Sequence, residues 1–551
     1  MRLEAKKWIG ELIAVTGIFL LASCGGDSTS SSSLSESEGG GGTGISNTFD
    51  SPAKMGVGDI MSIPFDESTS VAVDFTGVEA GASFIVAIGS LNTSGAGTSM
   101  QLSSDLSLPE YDAAVGGMEV KSEGNGDVDN VYSAQEIMSA WLRASEDTLP
   151  ASESLQADSV SMSKAAKLVA ESVGETENFR VLASLSSVTS YVEVTGKIRC
   201  IGSKVVFYVD TAVSSEVLAD SDVQTLCNEF DTVAGNEQTI FGETSDVDGD
   251  GKLHILMTKQ INRLGALGGG IITGYFYAGD LYTRSNSNSV SNYREVIYTL
   301  VPDPSGQYGT AISKSFAMSN LLPAVLPHEL QHAISYNQHV FENDGSPEEN
   351  WLNEGMSHLA EDIMGYGVEN PSRYAMYLAS PSTYGVVTQG SPNLMERGEA
   401  YLFMRFLYEQ SADGAAFIRS LESSSKRGVE NLETAFAGPS DFDEFSEFIS
   451  RFSVALAMTD RGISSDSRYI YKARTRNSVT GNYEGVCITC DPEDNRGTTL
   501  EGIHLNAFNG NHNSAIDSSA VMFYDVSSPP DQMRLAGSDG GGNFGVLIRY
   551  E

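Results

Sequence analysis

The chain is 551 residues long, room for about two to four domains. It carries 73 acidic and 33 basic side chains, a formal net charge of −40. Such a surface repels nucleic acid and anionic head groups, which excludes DNA and RNA as partners, and it suits an exported, soluble body able to hold calcium.

The first residues, Met1 to Lys7, include Arg2, Lys6 and Lys7 and precede an apolar run from Trp8 to Leu21 broken by Glu11. That run is shorter than the roughly 20 apolar residues of a membrane span and reads as the core of a signal peptide. It ends in Leu21-Ala22-Ser23-Cys24, which resembles the lipobox of bacterial lipoproteins. The resemblance implies a signal peptide over 1–23 and a lipidated Cys24, palmitate included, at the mature N-terminus. The chain would then sit in the bacterial cell envelope, facing periplasm or exterior, and touch the membrane through that lipid alone. An ordinary secretory signal with an incidental Cys24 is the alternative. Residues 24–48 are Ser/Gly-rich, the composition of a flexible tether.

Residues 49–109 alternate apolar and polar in short runs such as Val71-Ala72-Val73-Asp74-Phe75, separated by Gly and Ser turns, and predict a small β-sandwich. Residues 110–190 are acidic and Ser-rich with a helical patch at Ala134–Leu142, a linker with some helix. From 191 to 479 strands such as Lys204–Val209 give way to helices, an α+β order of mixed sheet followed by helices. Residues 480–551 turn Gly/Asn/Ser-rich around Ala520–Tyr524 and Phe544–Ile548, and predict a small C-terminal β-domain. A monomer is expected.

Export permits disulfides, and Cys200 with Cys227 and Cys487 with Cys490 is the favoured pairing of the three that four cysteines allow. No thioredoxin-like pattern surrounds Cys487-Ile488-Thr489-Cys490 and no second pair completes a zinc ribbon, so a local clip is the reading. Asp246-Val247-Asp248-Gly249-Asp250-Gly251-Lys252 matches the first half of a calcium loop, with Asp246, Asp248 and Asp250 as ligands. The twelfth position is Met257, not Glu, and a polar turn without metal explains the same residues.

The sharpest signal is His328-Glu329-Leu330-Gln331-His332 followed by Trp351-Leu352-Asn353-Glu354-Gly355. On a helix, His328 and His332 share a face and can bind one metal, with Glu329 beside them as the base that takes a proton from water. The helix is expected from about Leu322 to Asn337, with Pro327 tolerated in its first turn. A second helix is expected over Trp351–Tyr366. Glu354 is its third ligand, completing a His₂Glu zinc site with an open position, and His358 is the competitor. Glu361 lies about 10 Å further along the axis, so Glu361 or Asp362 is expected to orient a ligand rather than bind the same ion. Arg294–Leu300 alternates as a substrate-pairing edge strand would, or as any sheet strand.

These residues resemble the gluzincin metallopeptidases, most strongly over His328–Gly365 and more loosely over Lys204–Leu407. Trp351-Leu352-Asn353-Glu354-Gly355-Met356-Ser357 is similar to the W-L-N-E-G-F-A of the aminopeptidase N clan. Phe241-Gly242, Asp246-Val247-Asp248-Gly249, Gly274-Tyr275-Phe276 and Ser291-Asn292 look more like the hyicolysin type. The resemblance implies a thermolysin-like fold and zinc-dependent hydrolysis of protein or peptide substrates. The amine-anchoring G-A-M-E-N signature is absent, which favours an endopeptidase. Those enzymes carry a catalytic Tyr before x-Lys-Gly, whereas this chain has Met395-Glu396-Arg397-Gly398. Tyr384, Tyr401 or His339 are the candidate proton donors in its place. A catalytically inactive surface lipoprotein that binds or adheres is the rival reading.

Overall fold

The computed structural model describes residues 49–65, 69–106, 134–150, 171–439, 441–491, 497–539 and 542–551. The expected signal peptide and tether, with Cys24, lie outside the described residues, as do 107–133 and 151–170 of the expected linker. Among the described residues no helix is long and apolar enough to cross a membrane.

The N-terminal segment supplies β1 (Ile60–Pro64), β2 (Ser70–Asp74), β3 (Phe84–Ser90) and β4 (Thr98–Ser103), and α1 is Ala134–Glu146. The next strands are β5 (Thr176–Leu182), β6 (Tyr191–Ile201) and β7 (Val205–Asp210), then α2 (Asp220–Phe241), β8 (Leu253–Met257), α3 (Lys259–Leu267), β9 (Gly274–Phe276) and β10 (Val296–Thr299). These six strands form one sheet in the order β5-β6-β7-β8-β10-β9. β7 and β8 are buried at every position, as their unbroken apolar runs require of central parallel strands. β10 pairs with β8 in parallel and β9 in antiparallel fashion, so Arg294–Leu300 is interior and the three-residue β9 is the edge. That corrects the edge-strand expectation.

Helices follow: α4 (Leu322–Tyr336), α5 (Asn350–Ile363), α6 (Asn370–Ala379), α7 (Leu394–Gln410), α8 (Gly414–Glu422), α9 (Gly428–Ala435) and α10 (Phe445–Met458). α4 packs on β9, β10 and α2, and α5 packs between α4 and α7. Sheet first and helices after is an α+β arrangement. Cys200 and Cys227 are bonded, tying β6 to α2, and Cys487 is bonded to Cys490.

The two β segments do not form separate flanking domains. After the two-residue strands β11 (Thr475–Arg476), β12 (Tyr483–Glu484) and β13 (Asn506–Ala507), the chain adds β14 (Asn511–Ile516), β15 (Val521–Val526), β16 (Gln532–Gly537) and β17 (Asn543–Arg549). The sheets run β1-β17-β3-β15-β13 and β14-β4-β16-β2. Among the described residues no N-terminal strand pairs along its backbone with another; β1 and β3 flank β17, and β4 and β2 flank β16. Local alternation reveals each strand, whereas the partner hundreds of residues away leaves no local mark. α10 lies against β17 and β3, and Ile85, Val521, Phe544 and Ile548 join the apolar core of the helical body.

Candidate metal centre

α4 carries the H-E-x-x-H residues on a helix that is buried almost throughout. Pro327 lies inside this helix, past the first turn where the sequence reading put it. It removes one ladder bond, and a π-helical turn over Ala317–Leu321 leads into the helix just before it. One face presents His328 and His332, their ring centroids 4.9 Å apart.

α5 brings Glu354 to the same point. His328 Nε2 is 3.4 Å from Glu354 Oε2, and His332 Nε2 is 3.9 Å from Glu354 Oε1. One ligand atom from each residue lies within 4.8 Å of the others, and Glu354 is fully buried. Two imidazoles and one carboxylate are the donor set of a three-ligand zinc site, so the residues present fit that ion. His358 belongs to a neighbouring group with His328 and Glu361, where its Nδ1 lies 2.9 Å from Glu361 Oε1.

The other ring nitrogens are held. Glu361 Oε1 accepts from His328 Nδ1 at 2.7 Å, which turns Nε2 toward Glu354. His332 Nδ1 is 3.0 Å from Asn353 Oδ1 and 3.2 Å from Ser357 Oγ. Glu354 is clamped by Arg397 of α7, Nη1 at 2.6 Å from Oε2 and Nη2 at 3.1 Å from Oε1. Burial opposes the ionised form of Glu354, yet Arg397 and the two imidazoles outweigh it and hold the carboxyl well below its usual range. Burial also lowers His328, but its bonds to Glu354 and Glu361 prevail and carry it up to about 9. His332 is pushed well down, by burial first and by the Arg143 charge next. Burial raises Glu329, against the pull of His328 and Arg143. Glu329 Oε2 accepts the Phe276 N–H of β9 at 2.9 Å, which ties the base to the sheet edge. A cavity of about 90 Å³ opens here, lined among others by His328, Glu329, His358, Glu361, Arg397 and Gln135.

Several expected residues lie elsewhere. Asp362 follows Glu361 but points off the site, paired with Arg405 at 2.8 Å and accepting Gly485 N–H at 3.0 Å. Adjacent helix positions differ by about 100°, so only one of the two can face His328. Tyr401 is buried against Tyr374 and bonds Asp362. Tyr384 packs half-buried at the core beside Gly385, a glycine that meets Ser518 of the sandwich. His339 faces Glu348 and Glu422 at 3.8 Å. None of the three lines the cavity at His328. The acidic turn also splits: Asp246 and Asp248 group with Glu295, while Asp250 turns to His254, Oδ2 at 3.1 Å from Nε2. Asp246 and Asp250 also accept the N–H groups of Gly251 and Lys252, as a polar turn does. His254 is thus partnered.

Sequence reasoning missed Arg397, Asn353 and Ser357. Arg397 had a usable signal, since Arg397-Gly398 is similar to the Lys-Gly of the gluzincin stretch it resembles; Ser357 had only its spacing of three from Glu354. No protein-family profile matches the chain. Over 256 residues, 44% of this chain and 55% of the other protein, it is 27% identical to the neutral metalloprotease ShpI of Staphylococcus hyicus. The match spans about half of that protein's length. This chain is therefore similar, over the matched residues, to a metalloprotease.

Proposed function

We propose that the chain is an exported, lipid-anchored zinc endopeptidase that hydrolyses peptide bonds in proteins outside the cytoplasm. The observation that carries the reading is the convergence of His328, His332 and Glu354 with Glu329 beside them. When bound, zinc supplies a Lewis acid that acidifies water and polarises a carbonyl. Glu329, raised by burial, takes the proton from the attacking water and delivers it to the leaving amine. Glu361 and Asn353 hold the two imidazoles in the tautomers that offer Nε2, and Arg397 keeps Glu354 ionised and immobile. β9 is a sheet edge next to the base, suited to pairing with an extended peptide.

Glu329→Gln keeps the shape of the side chain and removes its basicity. Peptide hydrolysis should vanish while zinc stays bound at one equivalent; unchanged turnover rejects Glu329 as the base. The second reading, an inactive surface-binding lipoprotein, draws on Met395, which stands where the related enzymes have their tyrosine. Casein digestion with and without chelator, alongside zinc analysis, separates the two, since zinc binding without digestion favours the second.

A further inference from the structure

The edge strand β9 is already occupied by α1. Gln135 Nε2 donates to Gly274 O at 2.9 Å, and its Oε1 accepts the Thr273 N–H at 2.9 Å. Arg143 Nη2 donates to Phe276 O at 3.1 Å. Two of these bonds satisfy carbonyls on the free side of β9 and the third the amide of Thr273 just before it, groups a peptide strand would pair with. The same Phe276 gives its N–H to Glu329, so the contact is at the catalytic end of the strand. Gln135 also lines the cavity that holds His328 and Glu329.

The rest of α1 supports this seat. Ala134, Met138 and Leu142 are buried in the core, and Ala134 sits so close to Gly268 that a Cβ on that glycine would fall 2.5 Å from its own. Arg143 is buried, its charge met by Glu146 at 2.9 Å. Beyond the helix, Leu149 packs on the apolar cluster of Phe276, Tyr282, Ala333 and Tyr336, and Pro150 O accepts the Tyr282 hydroxyl at 2.9 Å. The segment from 134 to 150 therefore places polar groups on the strand edge and an apolar side chain beside the metal-binding helix, as a bound peptide would.

Resting on the endopeptidase reading, we propose that residues 134–150 are an intramolecular inhibitor, seated where an extended peptide substrate binds and displaced before the enzyme works. A competing segment that holds the cleft nine-tenths of the time weakens apparent substrate affinity about tenfold. Its effect falls on KM and leaves kcat in place.

Two full-length variants test this. Met138→Asp puts a charge into the buried face of α1, and Gly268→Ala crowds Ala134 from outside the segment. Hydrogen exchange at the Thr273 amide reports whether α1 has left, and a fluorogenic peptide reports activity. The expected result is faster exchange, a KM lower by about tenfold with kcat retained, and inhibition restored by adding a synthetic 134–150 peptide. Faster exchange with kcat/KM at the wild-type level overturns the inference while leaving the peptidase reading intact. If α1 leaves, zinc is bound and neither variant nor wild type cleaves, the peptidase reading fails and the inhibitory role with it.

Discussion

Replacing Arg397 by methionine should reveal how strongly the metal centre depends on a residue that touches no metal. Arg397 is 4% exposed and Glu354 0%, and the two meet through contacts of 2.6 and 3.1 Å. Removing one member of a buried pair leaves the other charge uncompensated, at a cost of about 3–5 kcal/mol. Methionine approximates the volume of the arginine stem, so cavity formation adds little. Without Arg397, Glu354 either stays ionised at that cost or takes up a proton and ceases to be a ligand. Both routes weaken zinc, by about 10–100-fold for loss of a group that holds a ligand. Arg397→Lys keeps the charge but not the two-pronged geometry and should fall between the two. The assay is zinc affinity by competition with a chromophoric chelator, with thermal melts of apo and zinc-loaded protein. The zinc-loaded form should lose more stability than the apo form, because the weaker zinc binding subtracts from its stabilisation. Wild-type zinc affinity in Arg397→Met, with an unchanged apo melt, would refute the reasoning.

Glu361→Gln removes the ionised acceptor from His328 Nδ1 and should weaken zinc by about 10–100-fold with little change in the melting temperature of the apo protein. Deleting residues 480–551 strips β1 to β4 of every strand partner they have, so the truncated chain should expose residues 49–106 to protease while the full chain resists. His254 is buried against Asp250 and Glu171, near Arg294 and the Tyr208 ring. Burial lowers it, but those two carboxylates carry it up to about 9, above the usual 6.5 of a free imidazole. A raised pKa stabilises the fold fully below 6.5 and loses that contribution as pH rises through 9. Chemical denaturation at pH 6 and pH 9.5 should show His254→Gln losing most of this difference, and an equal pH dependence in variant and wild type counts against it.

The candidate metal-binding residues His328, His332 and Glu354 were legible because their information is local. Two histidines four apart, and Glu354 near the start of the next helix, each need only one turn of helix, and α4 and α5 form where periodicity put them. The same locality explains the errors. Alternation marked β1 to β4 and β14 to β17 as strands, but partners over 400 residues away were invisible, and one sandwich was read as two domains. Asp246, Asp248 and Asp250 have calcium spacing, yet His254 and Glu295, both buried, draw them apart. Asp362 and Tyr401 sit near the site in sequence and satisfy each other and Arg405 instead. Helix α1 was visible as periodicity, but its seat on β9 depends on Gly268, Gly274 and Phe276, which carry no pattern pointing to it.

The buried charges around α4 argue for what the site holds. Glu329, Glu354 and Glu361 carry three negative charges once ionised, and among the residues clamping the ligands Arg397 contributes one positive charge. Arg143 lies against Glu146 but also acts on Glu329 and His332, as Arg373 does on Glu361. The carboxylates outnumber the one guanidinium that clamps Glu354, in surroundings where an uncompensated charge costs several kcal/mol. A cation between His328, His332 and Glu354 offsets this excess, which a neutral ligand would not. The same balance explains why Glu361 can stand so near His328 without binding the ion: its charge is wanted there, while its reach is spent on Nδ1. A peptidase-like domain that had lost its metal would have no use for three acidic groups at this depth, and apolar replacements there would be neutral or stabilising.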